Sequence, residues 1–213
     1  MSRIASGCLS IILAGLFGTP VVGQEGAGGG VDWYRFLGPD LNGKSTETGI
    51  LTDWTGGKLP IVWQREVGEG YSMPTVADGR LFIFDRQDDH ARLRCFDSGT
   101  GKEHWKSQYP TDYQDHYGYS GGPRASAVID DDRVYTFGVE GRLRAHRITD
   151  GELLWEVDTS ARFDVVQNFF GVGSTPIIEG DLLIAMVGGS PPDPPSLWSG
   201  DLEGNGSGIV AFD

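Results

Sequence analysis

Cysteine, basic residues and long hydrophobic runs are all scarce in this sequence. Its 213 residues include two cysteines, and 17 Lys and Arg stand against 30 Asp and Glu, for a formal charge of −13. Binding to nucleic-acid phosphates requires clustered Lys and Arg, so we expect no nucleic-acid partner. No apolar run reaches the roughly 20 residues that a membrane-spanning helix needs, so we also expect no membrane span.

Signature motifs of catalysis and metal binding are missing as well. The sequence contains no nucleophile elbow, P-loop or paired metal-ligand motif. Its densest acidic run is Asp130-Asp131-Asp132. The other units of the repeat that is described below have a turn at this position, which favours a solvated turn over a calcium site. We therefore assign no metal and leave the catalytic residues unknown.

The first 23 residues have the three-part pattern of a secretory signal peptide. Arg3 supplies a positive charge, residues 8–17 form an apolar core, and small residues precede Gln24. The pattern predicts cleavage and a periplasmic or secreted protein, with an uncleaved anchor as the alternative. Cleavage leaves Cys95 as the one cysteine, so this stretch can form no internal disulfide, and we expect that thiol to be buried in a strand.

A repeated phrase ending in tryptophan is the most informative feature that is present. Residues 95–105, CFDSGTGKEHW, align without a gap with residues 145–155, AHRITDGELLW, at a spacing of 50 residues. Trp63 precedes Trp105 by 42 residues, and residues 211–213 open the phrase once more. Self-similarity at about 40–50 residues indicates the blades of a β-propeller.

Short strands separated by glycine-rich turns are predicted from residue 60 onward. The expected strands are 61–67, 73–77, 80–84, 92–96, 102–108, 126–129, 133–137, 142–147, 152–157, 175–178, 181–187 and 209–212. No segment keeps an apolar period of 3.6 residues, so we expect little helix. The predicted fold class is all-β: a β-propeller of four-stranded antiparallel blades, with about three blades present in an incomplete ring.

The predicted domain organisation has three parts. Residues 1–23 are the signal peptide, 24–59 a linker and N-terminal arm, and 60–213 a partial propeller, with an insertion at 188–206. A propeller needs ~4–8 blades, so we expect this chain to be a piece of a longer protein. A small unit that completes its ring by self-association is the alternative.

The phrase resembles the pyrroloquinoline-quinone-like (PQQ-like) propeller repeat, with consensus ALDAxTGKxxW. Residues 96–105 carry it, and residues 147–155 carry a weaker copy. Segments 73–84, 126–137 and 174–185 are similar to a second family motif, SPVVxDGRVYV, so the resemblance covers roughly residues 60–213. It implies that the tryptophans lie between blades and dock onto a neighbouring turn. The residues assigned to this structural role are Trp63, Trp105, Trp155, Gly101 and Gly151.

The resemblance implies one of two functions. Some members are periplasmic quinoprotein dehydrogenases that hold PQQ and calcium on the propeller axis. Others are similar to the propeller lipoprotein of the outer-membrane barrel-assembly machinery, which binds partners and catalyses nothing. The family's adjacent cysteine pair is absent here, and Asn168 and Asp164 match calcium ligands by type only. We expect a non-catalytic binding or scaffold module without an assigned cofactor; the alternative is a dehydrogenase of alcohols or sugars that uses PQQ and calcium.

The long connection at residues 109–124 is the best candidate for a binding surface. It combines tyrosines with charged residues, and loops that join blades surround the mouth of a propeller. The candidate residues, for a protein or a small-molecule ligand, are Asp115, His116, Tyr117 and Arg124. The alternative is that this loop packs its tyrosines on the rim and binds nothing.

Overall fold

The computed structural model describes residues 30–50, 53–115, 117–165, 170–188 and 208–213. The predicted signal peptide, and the predicted insertion after Gly188, lie outside the described residues.

The first sheet has four antiparallel strands in chain order. They are β1 (Thr75–Ala77), β2 (Arg80–Gln87), β3 (His90–Asp97) and β4 (Glu103–Pro110). Across the sheet, Phe82 pairs with Cys95 and Cys95 with Trp105, and the register shifts directly after Cys95.

The second sheet repeats the first. Its strands are β5 (Val128–Asp130), β6 (Arg133–Phe137), β7 (Arg142–Arg147) and β8 (Leu153–Asp158), again in chain order. Tyr135 pairs with Ala145 and Ala145 with Trp155, and the register shift follows Ala145. The two repeats of the sequence are therefore two copies of one four-stranded unit.

A third sheet contains three described strands. They are β9 (Ile177–Glu179), β10 (Leu182–Met186) and β11 (Ile209–Phe212), with β10 in the middle. A five-residue helix, α1 (Thr159–Phe163), follows β8 and is capped by the Asp158 carboxylate, which accepts from the Ala161 N–H at 2.9 Å. The predicted class, an all-β open arrangement of antiparallel propeller blades, is confirmed.

One predicted strand is wrong. Residues 61–67 form no strand, and Ile61 and Val62 are exposed. A strand needs a hydrogen-bonded neighbour, and this segment reaches the first sheet through side chains instead. Trp63 Nε1 donates to the Ser98 carbonyl at 2.9 Å, and Arg65 Nε donates to the Gly101 carbonyl at 2.7 Å.

The apolar residues form two clusters, one between each pair of consecutive sheets. Phe82, Phe84 and Cys95 are fully buried against residues of β5 and β6. Leu143 and Ala145 are equally buried against β10. The second sheet thus contributes to both clusters, one on each face. Complete burial of a large apolar side chain stabilises the fold by ~1.5–3 kcal/mol.

The N-terminal arm ties the first two sheets together. Trp33 and Val76 exchange two backbone hydrogen bonds of 2.8 and 2.9 Å. The next carbonyl, of Tyr34, accepts from the Ile129 N–H at 2.9 Å, and the Tyr34 ring packs against the first cluster. The arm therefore crosses from β1 to β5.

Tryptophan side chains link successive units by lying on glycines. Trp105 Nε1 donates to the Ile148 carbonyl at 3.0 Å, across the boundary between the first two sheets. Gly151 has φ +75°, and a Cβ there would lie 2.8 Å from Trp105 Cδ2. Trp63 lies on Gly101 in the same way. Trp155 is half-buried with its ring 6.0 Å from that of Tyr135.

Gly151→Ala should lower the free energy of unfolding by about 2–5 kcal/mol. Alanine at positive φ costs ~1–2 kcal/mol, and the clash with the indole adds ~1–3 kcal/mol. Gly79→Ala is the matched control, because Gly79 has φ +68° but no atom within 4 Å of the added Cβ. Urea unfolding followed by tryptophan fluorescence measures both, and equal losses would contradict the docking contact.

Candidate functional site

The connections that lead into β1, β5 and β9 meet at one end of the sheets. These strands are the first of their sheets and begin at the same end. The Tyr71 N–H, before β1, donates to the Pro123 carbonyl, before β5, at 2.8 Å. The Phe170 ring, before β9, lies 5.9 Å from the ring of Tyr117. We call residues 69–71, 111–115, 117–124 and 170 the mouth surface.

Arg86, at the end of β2, fixes the shape of the longest connection. Its guanidinium donates to the carbonyls of Tyr113 at 2.5 Å, Gly121 at 3.2 Å and Thr111 at 3.3 Å. A planar group with five donors on three nitrogens can hold three separate carbonyls at once, whereas lysine would have to reach all of them from a single nitrogen. Sequence reasoning missed Arg86, because nothing local shows that a strand residue reaches a loop some 25–35 positions later.

Two of the predicted binding residues bind each other. Arg124 donates to the Asp115 carboxylate at 2.6 Å, and both side chains are largely buried. Asp115 also accepts from the Tyr117 N–H at 2.7 Å, while Arg124 donates to the carbonyls of Gly122 and Ser120 at 3.0 and 3.1 Å. The pair shapes the loop from inside, since a buried charge without its partner costs several kcal/mol.

Three aromatic rings stand on the outer side of the mouth surface. Tyr117, Tyr119 and Phe170 are 43%, 71% and 43% exposed, and their centroids lie 5.9–6.5 Å apart. We call these three rings the aromatic platform. Phe170 was not among the predicted residues, because it comes from a different connection. His116 was predicted to bind, and it lies outside the described residues.

The most strongly perturbed ionisable groups lie between the first two sheets. Burial, and then the nearby Glu140, raises the pKa of Tyr109, whose ring stacks 4.6 Å from the Arg144 guanidinium. Burial raises the pKa of Glu140 and brings that of Cys95 to about 12. Burial, and then Arg144, lowers the pKa of His146 to about 4. These groups belong to the packing of the blades.

The described residues include no group of three His, Cys, Asp or Glu side chains that could hold a metal ion. In that same part of the chain, no helix is both long and apolar enough to cross a membrane. Of the two residues that match calcium ligands by type, Asp164 ends α1 in a left-handed conformation and Asn168 lies outside the described residues. Asp131, at φ 49°, lies in the turn between β5 and β6.

A family model described as outer membrane protein assembly factor BamB matches residues 45–191, which hold the three repeated tryptophans. The chain belongs to this family. Its members share the PQQ-like propeller repeat. No curated protein matches the chain.

Solved structures with similar blades come from two kinds of protein. The quinohemoprotein alcohol dehydrogenase ADHIIG from Pseudomonas putida HK5 is 18% identical over 59% of this chain and 18% of its own, with a TM-score of 0.41. BamB from Moraxella catarrhalis is 17% identical over 68% of this chain and 33% of its own, with a TM-score of 0.39. The chain thus spans a third or less of the length of these proteins.

Arg86→Lys should loosen the mouth surface although it keeps the charge. A lysine carries its three donors on one nitrogen and cannot span the positions that two guanidinium nitrogens occupy. Amide hydrogen exchange across residues 111–124 should therefore speed up by about tenfold or more, with a loss of about 1–3 kcal/mol in the free energy of unfolding. Arg133→Lys, at an exposed arginine of β6, is the control. Native-like exchange in Arg86→Lys would show that the loop holds its own shape.

His146 should make the protein less stable in mild acid. Between about pH 6.5 and 4 the unfolded histidine gains a proton that the buried one does not, so the free energy of unfolding falls as pH falls, by about 2 kcal/mol between pH 7 and 5. Glu140, with its raised pKa, contributes a slope of opposite sign. The test is therefore the difference in slope between the parent and His146→Gln in urea unfolding. Equal slopes in the parent and in His146→Gln would contradict this expectation.

Proposed function

We propose that this chain is an exported, non-catalytic propeller module that binds a protein partner through its mouth surface, in the periplasm or outside the cell. The observation that carries the proposal is the aromatic platform. Its rings come from two separate connections and stay exposed, while Arg86 and the Asp115–Arg124 pair hold the loop beneath them. The predicted signal peptide at residues 1–23 supports export.

The chemistry of the platform suits a protein partner. Tyrosine and phenylalanine are enriched in the buried centres of protein interfaces, where they bury large areas at small entropic cost. A loop that is already held by buried contacts loses little further freedom on binding. Each ring is more than 40% exposed, which suits contact with a surface more than enclosure of a small molecule. The family's description as an assembly factor points the same way.

The alternative proposal, a PQQ-dependent dehydrogenase, fits the described residues of the mouth surface poorly. An acidic quinone would need free cationic groups there. The guanidinium of Arg86 already donates to four carbonyls. That of Arg124 donates to the Asp115 carboxylate and to two carbonyls. We therefore derive no redox step.

A photo-reactive amino acid in place of Tyr119 should crosslink to one discrete partner in cells that export the chain. The matched control replaces Lys102, which is exposed in the turn at the opposite end of β4. Adding Tyr117→Ala should reduce the yield of the adduct by about tenfold, since aromatic truncations in interfaces cost 1 kcal/mol or more. Equal adducts at both positions, or none at either, would contradict the proposed surface.

Addition of PQQ and calcium to the purified chain separates the two functions. A binding module should show no quinone absorbance after gel filtration and no dye reduction with alcohols or sugars. Stoichiometric retention of the quinone would overturn the non-catalytic proposal whatever the outcome of the crosslinking.

A further inference from the structure

Guanidinium groups in this protein recur in one arrangement, in which the cation lies on an aromatic ring and also pairs with a carboxylate. Three such sets are Arg94 with Phe96 and Glu103, Arg124 with Tyr71 and Asp115, and Arg144 with Tyr109 and Glu156. In that order, the guanidinium carbon lies 4.6, 5.7 and 4.6 Å from the ring centre, and the ion pair measures 2.7, 2.6 and 2.8 Å. The ring attracts the cation and the carboxylate neutralises it, so the three groups support one another.

The outer side of the mouth surface has the ring and the carboxylate of this arrangement. Tyr71 and Tyr119 are 60% and 71% exposed. Glu69 is exposed as well, and its carboxylate accepts from the Gly121 N–H at 3.2 Å, so it lies against the loop two residues after Tyr119. The one arginine in the described part of the mouth surface, Arg124, is turned inward, with its side chain 11% exposed. The outer side therefore offers two of the three groups and leaves the place of the cation to a partner.

The turn between β2 and β3 adds negative charge beside the mouth surface. The Asp89 carbonyl accepts from the Thr111 N–H at 2.9 Å, so this turn lies against the long connection. Asp88, Asp89 and Asp112 are exposed, and Arg86 comes no closer than 3.9 Å to the Asp89 carboxylate. Every exposed charged side chain that the structure describes in the mouth surface and in this turn is acidic.

The opposite end of the same sheets carries charges of both signs. Lys102 is exposed there, Arg133 lies 3.6 Å from Asp132, and Arg147 pairs with Asp150 at 3.0 Å. The negative charge of the chain is thus partly offset at that end and is not offset on the outer side of the mouth surface. Charge complementarity at the mouth surface favours a cationic partner.

We propose that the protein partner contacts the mouth surface with a basic segment, whose arginine side chains stack on Tyr119 and Tyr71 and pair with Glu69. This rests on the proposed binding function and names the chemistry of the partner for that surface. Arginine suits the surface better than lysine, because its planar group covers a ring and holds a carboxylate through two parallel hydrogen bonds. The partner thereby supplies the group that the internal sets contain and the outer side lacks.

Binding of labelled peptides to the purified chain, followed by fluorescence anisotropy, tests the charge and the planar group separately. Hexa-arginine amide should bind about tenfold more tightly than hexa-lysine amide, and hexa-glutamate should not bind. A rise in salt from about 0.05 to 0.5 M should weaken the binding of hexa-arginine by about tenfold, because exposed ion pairs are screened. Equal affinities for hexa-arginine and hexa-lysine, or binding of hexa-glutamate, would overturn the proposal.

Two matched pairs of variants separate this surface from a general attraction to an acidic protein. Tyr119→Ala keeps the net charge and should weaken hexa-arginine binding by about tenfold, whereas Phe36→Ala, at an exposed ring of the N-terminal arm, should leave it unchanged. Glu69→Gln should weaken it by about fivefold. Asp131→Asn removes the same charge at the opposite end, where asparagine suits the φ of 49°, and should leave the affinity unchanged. Equal losses within either pair would overturn the proposal.

The adduct formed at position 119 in exporting cells extends the test to the natural partner. After digestion with a protease that cleaves at glutamate, mass spectrometry should place the crosslink in a segment with more Arg and Lys than Asp and Glu. A crosslinked segment with a net negative charge would overturn the basic-segment proposal and leave the binding function standing. Absence of an adduct would contradict the binding function, and the peptide affinities would still decide the chemistry of the surface.

Discussion

The contact of an indole ring with a glycine turn is the constraint on which the rest of this structure depends. Trp105 reaches out of one sheet, donates a hydrogen bond to the next and covers Gly151, where any side chain would overlap the ring. The contact recurs at Trp63 and Gly101, so successive sheets meet in the same way. Because that relation repeats, the connections into the first strands all come to one end of the molecule.

In the mouth surface, charged residues and aromatic residues have different roles. The charged groups of its longest connection are turned inward: Arg86 binds loop carbonyls and Arg124 binds Asp115. A buried charge is tolerated only with such partners, and the same contacts make the loop rigid. The aromatic rings are left facing outward. Asp115 and Arg124, which the sequence offers as binding residues, thus support from inside a surface whose exposed part is aromatic.

The strand pattern could be predicted well because alternation and glycine turns are local signals. The predicted limits of β6, β7 and β11 agree with the structure. The prediction at residues 61–67 failed, since a strand exists only with a hydrogen-bonded neighbour, and α1 is too short to produce a helical period. For the candidate site, the sequence singled out the connection at residues 109–124, which stays a prediction, but it could not show that Asp115 and Arg124 bind each other.

By itself, the sequence determined that the protein is a set of propeller blades, because the repeated phrase carries its turns, strands and docking tryptophans within about 50 residues. Only the tertiary structure decided which residues share a surface. Phe170 joins Tyr117 and Tyr119, and Arg86 reaches Gly121, through contacts that cross between sheets or connections. Such contacts depend on how whole sheets are placed against one another, and that placement leaves no pattern in the residues on either side.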